Sequence, residues 1–292
     1  MFSGDLLRNA IISGANNIFN ERQRVDELNV FPVPDGDTGT NMSMSIGNAA
    51  RELIKQGGKN AGEIAQIAAS ALLRGARGNS GVITSLLFRG IAKGLKGAEE
   101  VTAENLVAAL QFGVEAAYKA VMKPTEGTIL TVARIAAEEA KKAADAGADA
   151  LDTFRAALDG AKAALEDTPN LLPMLKKAGV VDAGGRGLVV IFEGMLAVFE
   201  GGNVIAVEDA PQIDNGEGDS SRNAAGEFET EITFTYCTEF IVSRKEDKGE
   251  NDAAELRAYL ETIGDCVVVV DDEESLRCTY TPTIPEMRWK RP

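Results

Sequence analysis

The residues best able to do chemistry stand in one run, Asn29-Val30-Phe31-Pro32-Val33-Pro34-Asp35-Gly36-Asp37-Thr38-Gly39-Thr40-Asn41-Met42. Pro32 and Pro34 hold the approach extended. Asp35 and Asp37 flank a glycine, so both carboxylates can turn toward one hard cation, which takes oxygen ligands. Thr38, Gly39, Thr40 and Asn41 then open a helix with apolar positions at Met42, Ile46, Ala49 and Leu53. A helix start offers backbone N–H groups to a phosphate. Acids that need a cation, next to amides that suit an anion, describe a metal–phosphate site. The same residues also spell an Asx turn with an N-cap, and taken alone they leave both readings open. The run is not an EF-hand, because no third acid follows at the required step and no Glu closes the loop.

Two further stretches share this character. Gly75-Ala76-Arg77-Gly78-Asn79-Ser80-Gly81 lies between helical segments and opens the second of them. Its glycines permit close backbone approach, and Ser80 can donate to a phosphate oxygen. A helix–helix turn capped by Asn or Ser is the plainer reading. No Gly-Lys-Ser/Thr follows, so this is not a P-loop. Val181-Asp182-Ala183-Gly184-Gly185-Arg186-Gly187 also precedes a helix, where Asp182 reads first as a cap. Gly127-Thr128 starts another. Each stretch alone is a cap; their recurrence is what a ring of helix starts around one anion would need.

Composition removes several classes of function. The 292 residues contain no histidine, which excludes Ser-His-Asp and Cys-His mechanisms and His-ligated metals within this chain. Thirty basic residues stand against 45 acidic ones, a net charge of −15. A basic footprint is missing until Arg288, Lys290 and Arg291, which argues against a nucleic-acid partner. Cys237, Cys266 and Cys278 are odd in number and lack CxxC spacing, as reduced thiols would. No run of apolar residues is long enough to span a bilayer. Met1 to Asn9 has neither the basic nor the apolar region of a secretory signal, so the expected location is the cytoplasm.

The elements that must position these residues are helices. Apolar residues recur at helical spacing over 5–20, 61–73, 82–95, 103–121, 129–145, 150–165 and 186–199. Gly57-Gly58, Gly97, Pro124, Gly147, Pro169 and Gly179 punctuate them. Residues 1–203 are therefore expected to form one all-helical domain of about seven to nine helices. Residues 204–226 become polar, acidic and rich in Gly, Ser and Asn, as a linker does. Alternation in Glu229–Val242 predicts a strand, Asp252–Thr262 a helix, and Asp265–Val270 and Glu274–Thr281 two more strands. Residues 227–281 thus read as an incomplete, loosely folded α/β domain, and 282–292 as an unstructured tail.

At the Asn29–Met42 run the sequence resembles the nucleotide-binding subunits of bacterial fatty-acid kinases, which carry a domain of the dihydroxyacetone-kinase L-subunit type. The Gly-Asn-Ser-Gly and Asp-Ala-Gly-Gly-Arg-Gly stretches follow in the expected order, and the resemblance extends to Arg277. It implies a mainly α fold, an antiparallel α-helical barrel, holding ATP and two Mg²⁺ ions at one end. Carried over by position, Asp35 and Asp37 are implied metal ligands, with Asn29 a weaker one near where simpler L-subunits use another Asp. Thr38, Gly39, Thr40 and Asn41 would line the phosphates, and Asn79, Ser80 and Gly81 would meet them from a second helix start. Thr128, Asp182 and Gly184 would lie near the nucleoside. The implied reaction moves the γ-phosphoryl group of ATP to the carboxylate of a fatty acid held by a separate binding protein. Two other readings stand beside it: an L-subunit of dihydroxyacetone kinase, and a non-catalytic nucleotide-binding regulator. A homodimer is compatible with any of them.

Toward the C-terminus the sequence departs from this pattern. The resemblance implies a middle domain that follows a Tyr-Cys-Thr-Glu-Phe strand, here Tyr236 to Phe240, and that would bind zinc through that Cys and two histidines of a later Val-His-Val-His-Thr strand. Here the later segment is Cys278-Thr279-Tyr280-Thr281-Pro282, so no zinc site is expected. With suitable synonymous codons, moving the reading frame back one base turns this segment into Val-His-Val-His-Thr. A frameshift near Arg277–Cys278 is the resulting expectation, and in-frame codons at that locus in close relatives would contradict it. The part then missing is where the family docks its lipid-carrying partner, so nucleotide binding is expected to outlast transfer.

Overall fold

The computed structural model describes residues 1–121, 123–208, 238–243, 252–271 and 275–282. They fall into two compact units, drawn from Met1–Ala117 with Thr125–Phe228 and from Tyr118–Pro124 with Glu229–Pro292.

Among the described residues, the first unit contains a two-residue strand, β1 (Phe2–Ser3), and α1 (Gly4–Asp26), α2 (Thr38–Ile54), α3 (Ala61–Gly75) and α4 (Gly78–Gly94). Strand β2 (Glu100–Val101) pairs antiparallel with β1. There follow α5 (Ala103–Ala120), α6 (Ile129–Asp145), α7 (Ala150–Leu171), the short α8 (Pro173–Ala178) and α9 (Ala183–Phe199). Most of these agree with the helical periodicity within a few residues. Pro169 does not end a helix as its type suggested, since α7 runs through it to Leu171. Proline brings no N–H to the carbonyl four residues back. Here that carbonyl belongs to Leu165, and Thr168 Oγ1 donates to it at 2.7 Å, so the gap in the ladder is filled.

Helices adjacent in sequence run antiparallel and close a barrel. Gly14 and Asn17 of α1 abut Gly194 of α9, and Gly90 and Gly94 of α4 abut Gly113 and Ala109 of α5. At the last crossing a methyl on Gly90 would run into the Gly113 backbone, so small residues set the helix spacing. Leu87, Phe88 and Ile91 of α4, Leu110 and Val114 of α5, Ala133 of α6, and Leu188 and Phe192 of α9 converge on the interior. Each of the Leu, Ile, Val and Phe side chains, when fully buried, stabilises the fold by roughly 1.5–3 kcal/mol. One end is closed by Phe2 stacked on Phe199 at 4.0 Å, with the Phe154 ring edge-on to Phe199 at 5.0 Å.

This up-down path has a direct consequence for function. It brings the starts of α2, α4, α6 and α9 to the end opposite the aromatic plug. The contacts bear this out. Asn41 of α2 meets Gly78 of α4, Met42 of α2 meets Gly187 of α9, and Ile129 of α6 meets Gly184 of α9.

Residues 204–208, assigned to the linker by composition, lie along α1. Ser13, Asn16 and Asn20 are spaced to share one helix face. Ser13 Oγ accepts from Ile205 N at 3.2 Å, and Asn16 Nδ2 donates to the Ile205 carbonyl at 2.7 Å. Asn20 donates to the Ala206 carbonyl at 2.9 Å and accepts from Glu208 N at 3.0 Å. Residues 209–226 lie outside the described residues.

The second unit holds β3 (Thr238–Ser243), α10 (Asp252–Ile263), β4 (Gly264–Asp271) and β5 (Ser275–Pro282). The sheet is antiparallel in the order β3-β5-β4, with Phe240 opposite Cys278 and Val269 opposite Cys278 on its other side. Leu260 of α10, Val267, Val269, Cys278 and Tyr280 make a core of their own, with Phe240, Ala253 and Leu256 against it. The Cys278 thiol is buried within it, and burial pushes its pKa up to about 11. Cys237 and residues 283–292 lie outside the described residues.

Candidate functional site

The Asp35–Asp37 turn sits between α1 and α2, and packing fixes it from behind. Val30 is buried against Leu172 and Leu175, with Phe31, Ala178 and Val180 around them. Gly36 adopts a φ of +66°, a conformation open to glycine, and so turns the chain between the two acids. The carboxyl groups of Asp35 and Asp37 lie against each other within hydrogen-bonding reach. Asn29, 3% exposed, donates from Nδ2 to Asp35 Oδ1 at 2.5 Å. Partial burial and then the Asp37 charge push the Asp35 carboxyl up to about 6, against which the Asn29 hydrogen bond pulls. Two acids held this close resist joint ionisation, and a cation would relieve them. Among the described residues no three Asp, Glu, His or Cys side chains gather as a metal cage. A two-carboxylate pair suits Mg²⁺, which keeps waters and phosphate oxygens in its remaining positions.

The helix starts are not alike. Ser3 caps α1, and Asn60 forms a reciprocal capping box at α3. Thr128 caps α6, Asp149 caps α7 and Asp182 caps α9, each with its own side chain. At α2, α4 and α8 the N-cap residues Asp37, Arg77 and Leu172 make no side-chain cap. The first two of these starts meet at the candidate site. Asn41 lies against Gly78, whose φ is +56°, and Ser45 Oγ accepts from Arg77 N at 3.0 Å. Asn79 carries its Oδ1 here, buried and without a hydrogen-bond partner. An orphaned buried acceptor beside two helix starts whose own N-cap side chains are not used as caps is a place built to receive a polar group.

The sequence-predicted residues separate into three settings. Asp35, Asp37 and Thr38 lead into α2, and where α2 meets α4 Asn41 stands against Gly78 and Gly81, with Asn79 and Ser80 in the same first turn of α4. Gly39 and Thr40 belong to the same turn but face α1. A Cβ on Gly39 would run into the Arg22 carbonyl. Thr40 N donates to Asp26 Oδ1 at 3.0 Å, and Thr40 Oγ1 to Asp26 Oδ2 at 2.7 Å. Asp26 is the site residue that sequence reasoning missed; an acid at a helix end reads as a solvated face.

Thr128, Asp182 and Gly184 form the neighbouring α6–α9 corner. Thr128 Oγ1 donates to the Thr125 carbonyl at 2.8 Å. Asp182 is 5% exposed and accepts from Gly185 N at 2.7 Å, and the neighbouring Ile129 amide also favours its charged form. One carboxylate thus lies at the starts of two helices. Burial pushes it up to about 6 despite both amides. Gly184 lets α9 approach Ile129, where a Cβ would stand 3.2 Å from the Ile129 Cβ.

Residues 32–197 match the DAK2 domain model, which takes in the acidic turn and every helix of the barrel from α2 to α9. The chain belongs to the DAK2 domain family. Its segment 233–278 matches the FakA-like middle domain of fatty acid kinase. Uncharacterized proteins of Staphylococcus aureus strains bovine RF122 / ET3-1 and USA300 are each 43% identical over 279 residues, 94% of this chain and 50% of theirs. The chain spans about half the length of the curated relatives it matches. The dihydroxyacetone kinase of C. freundii in complex with AMP-PNP and Mg²⁺ shares the fold at a TM-score of 0.51 and 20% identity, over 66% of this chain and 33% of that one. The native form of that kinase gives 0.50 and 18%, over 67% and 35%. The DAK2 barrel of this chain therefore has a kinase-type fold. No described helix is long and apolar enough to cross a membrane.

Proposed function

We propose that the DAK2 unit binds ATP with Mg²⁺ where α2 meets α4, and that it is the nucleotide-binding subunit of a kinase that phosphorylates the carboxylate of a protein-bound fatty acid. The observation that carries the nucleotide reading is the paired Asp35 and Asp37 carboxylates beside two helix starts that lack their own caps. Asp35 and Asp37 would hold the metal, with Asn29 orienting Asp35. The first turns of α2 and α4 would receive the phosphates, with Ser80 as a hydroxyl donor and Asn79 Oδ1 as a buried acceptor for a polar group. The nucleoside would extend toward the corner of Thr128, Asp182 and Gly184. Magnesium, when bound, neutralises charge on the transferring group and orients it; the resemblance implies two ions.

The proposed acceptor agrees with the residues present. A carboxylate is already ionised at neutral pH, so its attack on the γ-phosphorus needs no general base, and the chain has no histidine. Transfer forms a carboxyl-oxygen–phosphorus bond and breaks the bond to the β–γ bridging oxygen, giving an acyl phosphate and ADP. The match of 233–278 to the fatty acid kinase middle domain favours this acceptor over dihydroxyacetone. Hydroxylamine trapping of acyl phosphate, with ATP, Mg²⁺ and a fatty-acid-loaded binding protein, tests it. Hydroxamate formation that Asp37→Ala abolishes is expected of the chain extended to the length of its relatives, of which this chain spans about half. Phosphorylation of dihydroxyacetone with a K-type partner, and no hydroxamate, would give the site to the triose kinase. No transfer to either acceptor, with nucleotide still bound, would leave a regulator.

A further inference from the structure

The start of α2 is capped by the wrong residue. At α7 and α9 the N-cap aspartates behave as that position usually does. Asp149 accepts from the third amide of its helix, Asp152 N, at 2.9 Å, and Asp182 accepts from Gly185 N at 2.7 Å. Asp37 holds the same place at α2 and makes no such bond. The third amide there is Thr40 N, and it donates to Asp26, which takes the Thr40 hydroxyl as well. Asp26 is the last residue of α1, where the helix dipole disfavours an acid. The start of α2, of opposite polarity, offsets that cost. The two helix ends are pressed together to allow it: a Cβ on Gly39 would meet the Arg22 carbonyl and would stand 2.8 Å from Val25 Cβ. Relieved of capping, the Asp37 carboxyl faces Asp35 instead.

We infer that Asp26 is a positioning residue: it caps α2 in place of Asp37, and so holds the Asp37 carboxylate free beside Asp35 for the metal of a bound nucleotide. The metal half of this inference rests on the nucleotide site proposed above. Without Asp26, the acceptor nearest to hand for Thr40 N is Asp37 in the ordinary N-cap geometry. Asp37 would then turn back onto its own helix and leave Asp35 to hold a cation alone.

The full chain with Asp26→Ala, Asp37→Ala, both together, and Asp26→Asn tests this through two readouts. The first needs no metal: exchange of the Thr40 amide followed by NMR. Protection is expected in each single variant, because one acceptor remains, and is expected to be lost only in the double variant. The second is Mn²⁺ affinity by electron paramagnetic resonance in the presence of a non-hydrolysable ATP analogue. Asp26→Ala should weaken it by about 10- to 100-fold, as for partners that orient a ligand. In the Asp37→Ala background it should cost nothing further, since a residue that acts through another shows no independent loss. Asp26→Asn keeps an acceptor for Thr40 N and should stay within about threefold of wild type. Loss of Thr40 protection in Asp26→Ala alone, an unchanged Mn²⁺ affinity, or equal losses in both backgrounds would each overturn the inference. A wild-type chain that holds no Mn²⁺ would overturn the nucleotide site and the metal half with it; the amide pattern would then decide the cap exchange separately.

Discussion

Asp182 should make this protein more stable in mild acid than at neutral pH, relative to a variant that cannot ionise there. Its carboxyl is buried at the joined starts of α6 and α9, and burial raises it from 3.8 to about 6. In the unfolded chain it ionises near its ordinary value; in the native state it holds its proton longer. Its stabilising contribution is therefore complete below pH ~4, falls as pH rises toward ~6 and is constant above that. The interval from 3.8 to about 6, at ~1.4 kcal/mol for each tenfold change in proton affinity, amounts to ~3 kcal/mol. Asp182→Asn removes the ionisation and keeps an acceptor for Gly185 N, although its amide group would face the Ile129 N–H. The variant should therefore lose stability at low pH and recover ~3 kcal/mol against wild type by pH 7. Urea unfolding followed by far-UV circular dichroism at pH 4 and pH 7 measures this, because other titrating groups cancel in the difference. A wild-type-to-variant difference that stays constant within ~1 kcal/mol between the two pH values would refute the reasoning.

Three further outcomes follow from the geometry. Because Asp35 lies at about 6, Mg²⁺-dependent nucleotide binding should weaken about tenfold for each pH unit below ~6 and release a proton near pH 6; calorimetry in two buffers of different ionisation enthalpy reads that release, and Asp35→Asn should abolish it. Gly39→Ala, which in an open helix would stabilise by ~1 kcal/mol, should instead destabilise by ~1–2 kcal/mol, because its methyl runs into the Arg22 carbonyl; the sign of the shift in urea midpoint decides it. Replacing Ser13 and Asn20 together by Ala should free the amides of Ile205 and Glu208 to exchange at least about tenfold faster while the α9 amides keep their rates, as read by hydrogen-exchange mass spectrometry.

The parts of the fold that sequence made legible are those written in local periodicity. Residues 129–145 were expected as a helix and form α6 at those bounds. The strand expected at Glu274–Thr281 is β5, Ser275–Pro282. Pro169 misled because its compensation comes from a hydroxyl, Thr168, that carries no helix signal of its own. The second unit read as an incomplete α/β domain, and among the described residues α10 packs with three short strands around a small core. At the site, the Asp35-Gly36-Asp37 turn and the recurring helix starts were visible because each is a contiguous motif. Asp26 was not, since its partner Thr40 is fourteen residues on and the pairing exists only once α1 and α2 fold back on each other. For the same reason Thr40 read as a phosphate ligand although its N–H and hydroxyl are engaged by Asp26. Asp182 read as the cap of one helix and lies at the start of a second, which depends on α6 and α9 lying side by side.

The central claim is that Asp35 and Asp37 join the starts of α2 and α4 in one metal–nucleotide site. Calorimetric titration of ATP into the wild-type chain and into Asp37→Ala, each with and without Mg²⁺, tests it most directly. Mg²⁺-dependent binding by wild type is expected, and Asp37→Ala should abolish it while the helical circular dichroism stays intact. Binding that is indifferent to Mg²⁺ or to Asp37, or no binding by a folded wild-type chain, would contradict it.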